Sequence, residues 1–208
     1  MTSDKYPPTV GILLAGGQAR RMGGGDKCMQ KLAGKPLLAH VIERLEGQVD
    51  RLVLNANGDP TRFAPFDLPV APDTLSGHLG PLAGVLAGMT WATRQAPGVA
   101  WILTVATDAP FLPLTLAAAL HAAVHDTGAD MACAASGRRH HPVIGLWPTR
   151  LRCDLQTAME KEDIRKVDRW TARYRLAVAE FPEGPPDPFF NANRPKDLAD
   201  AEKMLARN

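Results

Sequence analysis

Five consecutive residues without a polar side chain, Val10-Gly11-Ile12-Leu13-Leu14, run directly into a segment, Ala15 to Lys27, that carries five glycines, two arginines and a lysine. A short apolar run of this kind reads as a strand buried on both faces, as in the middle of a parallel sheet. Glycines let the backbone that follows turn its N–H groups toward an anion, and the cations supply the charge a triphosphate needs. The spacing is neither GxGxxG nor GxxxxGKS/T, so it indicates neither a dinucleotide fingerprint nor a P-loop.

The rest of the chain alternates in the same way. Pro36 to Leu45 places Leu37, Leu38, Val41, Ile42 and Leu45 at helical spacing, and Leu52-Val53-Leu54 follows as a strand. Pro81 to Trp91 reads as a helix with proline in its first turn, Trp101 to Val105 as a strand, and Pro113 as the start of a helix through Leu114 to Val124. Met131 to Ala134 and Val143 to Trp147 are further strands. Arg150 to Arg175 is charged and helical, Leu176 to Phe181 a strand, Gly184 to Pro188 a loop, and Lys196 to Ala206 a closing helix. This alternation implies an α/β fold: one Rossmann-like domain over residues 1–208, three layers α/β/α around a mainly parallel sheet, with residues 1–8 expected to be disordered.

The chain has 208 residues and 45% hydrophobic content, enough for one globular domain with a real core. Its formal charge of +2 is spread in interspersed signs, without the one-signed block of a nucleic-acid arm or a membrane-binding face, so a small-molecule partner is expected. Val10 to Ala15 is too short for the apolar part of a signal peptide, and the longest charge-free stretch, Thr74 to Thr93, is broken by Ser76, Gly77, His78, Gly80 and Pro81. Cys28, Cys133 and Cys153 match neither a metal knuckle nor a CxxC pair and read as free thiols of a reducing compartment, which makes the expected location cytoplasmic.

Every candidate functional cluster falls just after one of these strands, where open α/β sheets bind ligands. The run Leu14-Ala15-Gly16-Gly17, then Arg21-Met22-Gly23, then Asp26-Lys27 resembles the signature loop of the molybdenum cofactor guanylyltransferases, the MobA family of nucleotidyltransferases. The likeness continues in order through Leu54-Asn55-Ala56-Asn57, Asp73, Gly80-Pro81-Leu82-Ala83-Gly84, Thr107-Asp108-Ala109-Pro110-Phe111 and Asn191-Ala192-Asn193-Arg194-Pro195. Arg194, where threonine is common, and the three glycines ahead of Asp26 are its departures. The resemblance implies a nucleotide-diphospho-sugar transferase-like fold, and transfer of GMP from GTP, with Mg²⁺, to the terminal phosphate of Mo-molybdopterin with release of pyrophosphate. GTP and Mo-molybdopterin are the partners it implies, with molybdenum-cofactor assembly proteins and molybdoenzyme chaperones as further candidates. Two other functions stay open: a cytidylyl- or sugar-phosphate nucleotidyltransferase of the same fold, and a non-catalytic GTP-binding adaptor that delivers the cofactor.

Arg21, Lys27 and Asp108 are the candidate catalytic residues, the two cations for the triphosphate and the carboxylate for Mg²⁺, which takes hard oxygen ligands and keeps several waters. Asp108 can alternatively cap the turn at Ala109-Pro110. Asn193 reads either as a second metal or phosphate contact or as a helix N-cap ahead of Pro195. The nucleotide is assigned to Leu14, Ala15, Gly16, Gly17, Lys27 and Asp108, and by resemblance to Asn55, Asp73, Gly80 and Pro81. Arg139, His141 and Asn191 are candidates for the acceptor. Arg138 to Pro142 reads either as a compact cationic turn that meets a phosphate or as a solvated loop, and the resemblance places its His-Pro pair toward the pterin. Asp163, Arg165, Lys166 and Arg169 read either as a solvated helix face or as cofactor contacts.

Overall fold

The computed structural model describes residues 6–16, 26–77 and 80–206. In chain order its elements are β1 (Thr9–Leu14), β2 (Lys31–Leu32), β3 (Lys35–Pro36), α1 (Leu37–Leu45), β4 (Arg51–Asn55), β5 (Val70–Ala71), α2 (Pro81–Gln95), β6 (Trp101–Ala106), α3 (Leu116–Thr127), β7 (Met131–Ser136), β8 (Arg139–Pro148), α4 (Arg152–Lys161), α5 (Val167–Thr171), β9 (Leu176–Phe181) and α6 (Pro195–Leu205). Single 3-10 segments lie at Lys27–Met29, Pro60–Phe66 and Thr149–Leu151.

Seven strands form one sheet in the order β5-β4-β1-β6-β8-β7-β9, and β2 and β3 make a separate small hairpin. Only β8 runs against its neighbours; the β1–β4, β1–β6, β4–β5 and β7–β9 pairs are parallel. The mainly parallel, three-layer architecture expected from the alternation is therefore present. Side chains alternate across β1 as a two-residue period demands. Leu13 packs with Leu38, Val41 and Leu45 of α1 and Leu116 and Leu120 of α3 on one face. Val10 and Ile12 pack with Leu82, Val85 and Met89 of α2 and with Leu155 and Met159 of α4 on the other.

Two glycines of α2 exist for that packing. A Cβ on Gly88 would stand 2.6 Å from Ile12 Cγ1, and one on Gly84 would stand 2.5 Å from both Leu14 Cδ2 and Asn55 Oδ1. Small residues there let the helix axis approach the ends of β1 and β4 more closely than any side chain allows.

Several details lay outside the reading of the sequence or differ from it. Arg139 to Pro142 form the first part of β8, not a turn; the turn is Gly137-Arg138, with φ of 53° and 61°, the positive pair that a two-residue hairpin requires. Pro142, which has no N–H for a ladder, sits where the β7–β8 register jumps from Ala134↔His141 to Cys133↔Gly145. The edge strand β5 and the β2–β3 hairpin are too short to show a period. Among the described residues no helix is long and apolar enough to cross a membrane.

Residues 6–8, from the segment expected to lack order, are within the described part. The Tyr6 ring stacks on His121 of α3 at 5.4 Å and 16°, while Trp101 meets the same ring edge-on. Thr9 Oγ1 donates its only proton to the Pro7 carbonyl at 2.9 Å, so it accepts from His121 Nε2 at 2.8 Å, which fixes the neutral Nε2–H tautomer. Burial pushes the His121 pKa down to about 4. A folded-state value below the ordinary 6.5 means that this histidine's contribution is complete above pH 6.5, falls as the pH drops toward 4, and levels off below it. We expect urea unfolding to show a loss on the order of 3 kcal/mol from this group across that window. The variant His121→Asn should lack that component, and a wild-type-minus-variant difference that does not change between pH 7 and pH 4 would refute it.

Candidate active site

The parallel register brings three strand ends level. Leu14 pairs with Asn55 of β4 on one side and with Ala106 of β6 on the other, so the segments that follow β1, β4 and β6 leave the sheet at one edge. Strand order also reverses here, since β4 lies to one side of β1 and β6 to the other. That is the crevice in which open α/β sheets bind ligands. A cleft of about 420 Å³ opens there, lined among others by Leu14, Gly16, Lys27, Asn55, Asp73, Gly80, Pro81 and Asp108.

On one side of the cleft, the Lys27 ammonium donates to the Asp108 carboxylate and to the Asn193 side-chain oxygen. Lys27 and Asp108 are only 14% and 16% exposed, so their attraction is weakly screened by water. Cys28, next in the chain, is buried in the core, and burial pushes its thiol up to about 12; it is an anchor without nucleophilic character. Asn193 lies on the loop before α6. The N-cap of α6 is Arg194, and the Asp197 carboxylate accepts from the backbone N–H of both Asn193 and Arg194 at 2.9 and 2.8 Å. The N-cap alternative for Asn193 is therefore corrected: the cap is one residue later, at Arg194, and the Asn193 side-chain oxygen accepts from Lys27 rather than from a helix N–H. Ala192, fully buried, donates its N–H to the Asp108 carbonyl at 2.9 Å, which ties the last loop to the one after β6. The Asp108 carboxylate meets Lys27 and, among the described residues, caps no backbone N–H of its own turn.

On the other side Asn55, buried at the end of β4, donates to the Ala71 carbonyl and to Asp73 Oδ1, both at 3.0 Å. Asn57 grips the same aspartate twice: its amide donates to Asp73 Oδ2 at 2.8 Å and its oxygen accepts from the Asp73 backbone N–H at 2.9 Å. The N-terminus of α2 lines the same cleft as this carboxylate, with Gly80 at φ +74 as its N-cap and Pro81 at its first position. Proline there removes only a donor that the helix cannot pair.

Of the remaining candidates, Ala15 is buried and bonded through its N–H to the Asn55 carbonyl at 2.9 Å, behind the lining. Asn191 accepts through its carbonyl from the Asn193 amide at 3.4 Å. Arg139 is exposed on β8. His141 is buried, bonded to Ser136 Oγ at 3.0 Å and packed on the Phe189 ring at 4.6 Å, and burial lowers its pKa. Neither Arg139 nor His141 lines the cleft. Gly17 and Arg21 lie outside the described residues. Asn57, Gly84, Thr107 and Val143 also line the cleft. The first three stood inside motifs read from the sequence, whereas Val143 arrives only through the bulge in β8. Among the described residues no three His, Cys, Asp or Glu side chains gather as a metal-holding group.

A cleft at a strand-order reversal, with a lysine and a carboxylate on one side and an oriented carboxylate and a helix N-terminus on the other, is the site of a nucleotidyltransferase, the class the family match gives. Residues 11–178 match the model of the MobA-like NTP transferase domain. The chain is 55% identical over 203 residues to a molybdenum cofactor guanylyltransferase of Rhodopseudomonas palustris strain BisB5, covering 98% of this chain and 97% of that one. It is 56% identical over 206 residues to the enzyme of that name from Bradyrhizobium, covering 99% and 97%. The crystal structure of molybdopterin-guanine dinucleotide biosynthesis protein A from Archaeoglobus fulgidus superposes with a TM-score of 0.73 at 22% identity, over 96% of this chain and all of that one, which shows the shared fold. The chain belongs to the MobA-like NTP transferase family, among its molybdenum cofactor guanylyltransferases.

The close approach at Gly84 shapes the cleft and can be tested directly. Gly84→Ala is expected to cost about 1–3 kcal/mol of stability through overpacking. It should also weaken nucleotide binding measured by calorimetry, because the new methyl displaces Asn55 and with it Asp73. Unchanged nucleotide affinity in the folded variant would show that this contact does not set the site.

Proposed function

We propose that this protein transfers GMP from GTP to the terminal phosphate of Mo-molybdopterin, forming the guanine dinucleotide and pyrophosphate. The observation that carries the reading is the single cleft holding Lys27 and Asp108 at one end and Asp73 with the α2 N-terminus at the other, in a chain whose full-length relatives bear the guanylyltransferase name.

The acceptor phosphate is already an anionic nucleophile at neutral pH. An oxygen of that phosphate attacks the α-phosphorus, the bond from the α-phosphorus to its bridging oxygen breaks, and pyrophosphate leaves in line. No general base is required; positioning and charge compensation are. Lys27 offsets charge on the triphosphate, with Arg21 assigned to the same anion. Asp108 and the Asn193 side-chain oxygen both accept from one positive charge, the Lys27 ammonium, and a pair of hard oxygens that meets a cation supports the proposal of a divalent ion at this end. These two residues would hold Mg²⁺, which would supply charge neutralisation for the transferring phosphoryl group and the departing pyrophosphate. Guanine presents an N1–H and an exocyclic amino group as adjacent donors, and Asp73, aimed by Asn55 and Asn57, together with carbonyls near Gly80-Pro81, is the acceptor set proposed for it. Arg139, His141 and Asn191 are proposed for the acceptor side, and there the buried His141 acts by holding the Phe189 loop in place.

Incubating the protein with Mg²⁺, molybdopterin carrying molybdenum, and each nucleoside triphosphate in turn should yield the guanine dinucleotide and pyrophosphate. A product formed preferentially from CTP would overturn the base assignment. Under the same conditions Lys27→Ala is expected to lower turnover by roughly 100-fold or more while leaving the fold intact, as losing an oriented charge at a transferring phosphoryl group costs about 3 kcal/mol. Near-normal turnover at saturating substrate would remove Lys27 from the mechanism.

Asp108→Asn keeps the shape and loses the charge that holds a hard cation. Activity and the Mg²⁺ response should fall together, with the half-saturating Mg²⁺ concentration rising. A variant with full activity and an unchanged Mg²⁺ titration would show that Asp108 is not a ligand.

A further inference from the structure

We infer that Arg62 is a positioning residue that couples the two ends of the cleft, seating the phosphate-binding lysine and aiming the base-facing carboxylate through one guanidinium. The inference rests on the nucleotide-transfer reading given above and assigns a residue that no sequence motif contains.

Arg62 stands in the 3-10 segment Pro60–Phe66, between β4 and β5. Its Nε donates to Asp26 Oδ2 at 2.6 Å, one Nη donates to the Asn57 carbonyl at 2.6 Å, and the other donates to the Asp59 carbonyl. Gly58, at φ +80, turns the chain so that the carbonyls on either side of it face the same guanidinium. The group lies 4.4 Å from the centroid of the Phe63 ring, and Phe63 is itself buried, so the arginine is referenced to the core.

Each contact leads to one end of the cleft. Asp26 directly precedes Lys27. Its carboxylate makes no capping bond to the 3-10 segment Lys27–Met29 and is committed to Arg62, so the Lys27 backbone is held between this ion pair and buried Cys28. A lysine has a flexible four-carbon stem, and its reach to Asp108 and Asn193 depends on where that backbone sits. In the other direction Asn57, whose carbonyl Arg62 holds, is the residue that grips Asp73 by both its side chain and its backbone. Loss of the fork lets the two ends move independently. Lysine cannot replace it, because an ammonium is a point donor without the planar geometry that reaches three acceptors in two directions.

The test is calorimetric titration of GTP, CTP and inorganic tripolyphosphate into the wild-type protein, Arg62→Lys, Arg62→Met and Asp26→Asn. Arg62→Lys and Arg62→Met are both expected to weaken GTP and tripolyphosphate about tenfold or more, the scale of a lost charged hydrogen bond. They should also lower the ratio of GTP to CTP affinity. Asp26→Asn should weaken tripolyphosphate and both nucleotides alike, with the base ratio kept, and should add little on the Arg62→Met background. A purely structural role leaves the base ratio untouched, so an unchanged ratio in Arg62→Lys, or wild-type affinities there, overturns the inference. Should Arg62→Met fold poorly, Arg62→Lys and Asp26→Asn decide it between them. A wild-type protein without preference for GTP overturns the base assignment itself, and the coupling with it, a result separate from wild-type preference retained in the variants.

Discussion

The ladder around β1 is the constraint on which the rest of the molecule depends. From Val10 to Leu14 this strand has no polar side chain and is covered on both faces, so its backbone must pair with a neighbour on each side, and here these are the parallel strands β4 and β6. Because Leu14 is paired with both Asn55 and Ala106, three loops leave the sheet at one level. Glycines 84 and 88 then allow α2 to settle directly on the strand ends. The cleft is what remains between these loops and the helix N-terminus.

Electrostatics decides how the cleft is divided. One end concentrates Lys27, Asp108 and Asn193 in a half-enclosed place where charges attract strongly. The other holds Asp73 with two asparagine amides rather than a cation, which fixes the direction of a carboxylate without neutralising it. A buried ion pair is poor evidence for stability, because desolvation offsets much of the attraction. On the function proposed above, the Lys27–Asp108 pair serves phosphate and metal rather than stability.

Much of the fold was legible because burial imposes a period. The run Val10 to Leu14, the helical spacing of Leu38, Val41 and Leu45, and the proline in the first turn of α2 signal their elements without reference to anything distant. The hairpin between β7 and β8 was misread where the signal was chemical: four basic or proline-adjacent residues look like a turn, yet Gly137-Arg138 makes the turn and a bulge lets Pro142 remain in the strand. Of the two readings open for Asn193, the N-cap falls away because Arg194 caps α6 and the Asn193 side-chain oxygen accepts from Lys27, a distant contact.

By itself the sequence determined the layered α/β architecture, the class of ligand and most of the residues around the cleft, since glycine-rich turns after buried strands are local patterns with local causes. Only the tertiary structure decided which side chains meet. Lys27 touches Asn193 across 166 positions of chain, and Arg62 reaches Asp26 across 36. His141, a candidate for the acceptor side, is buried against Ser136 and Phe189, contacts that no local pattern signals. Periodicity encodes how a segment lies and which face it buries. Contacts between distant residues depend on sheet register and helix approach, and those are settled by packing the whole core at once.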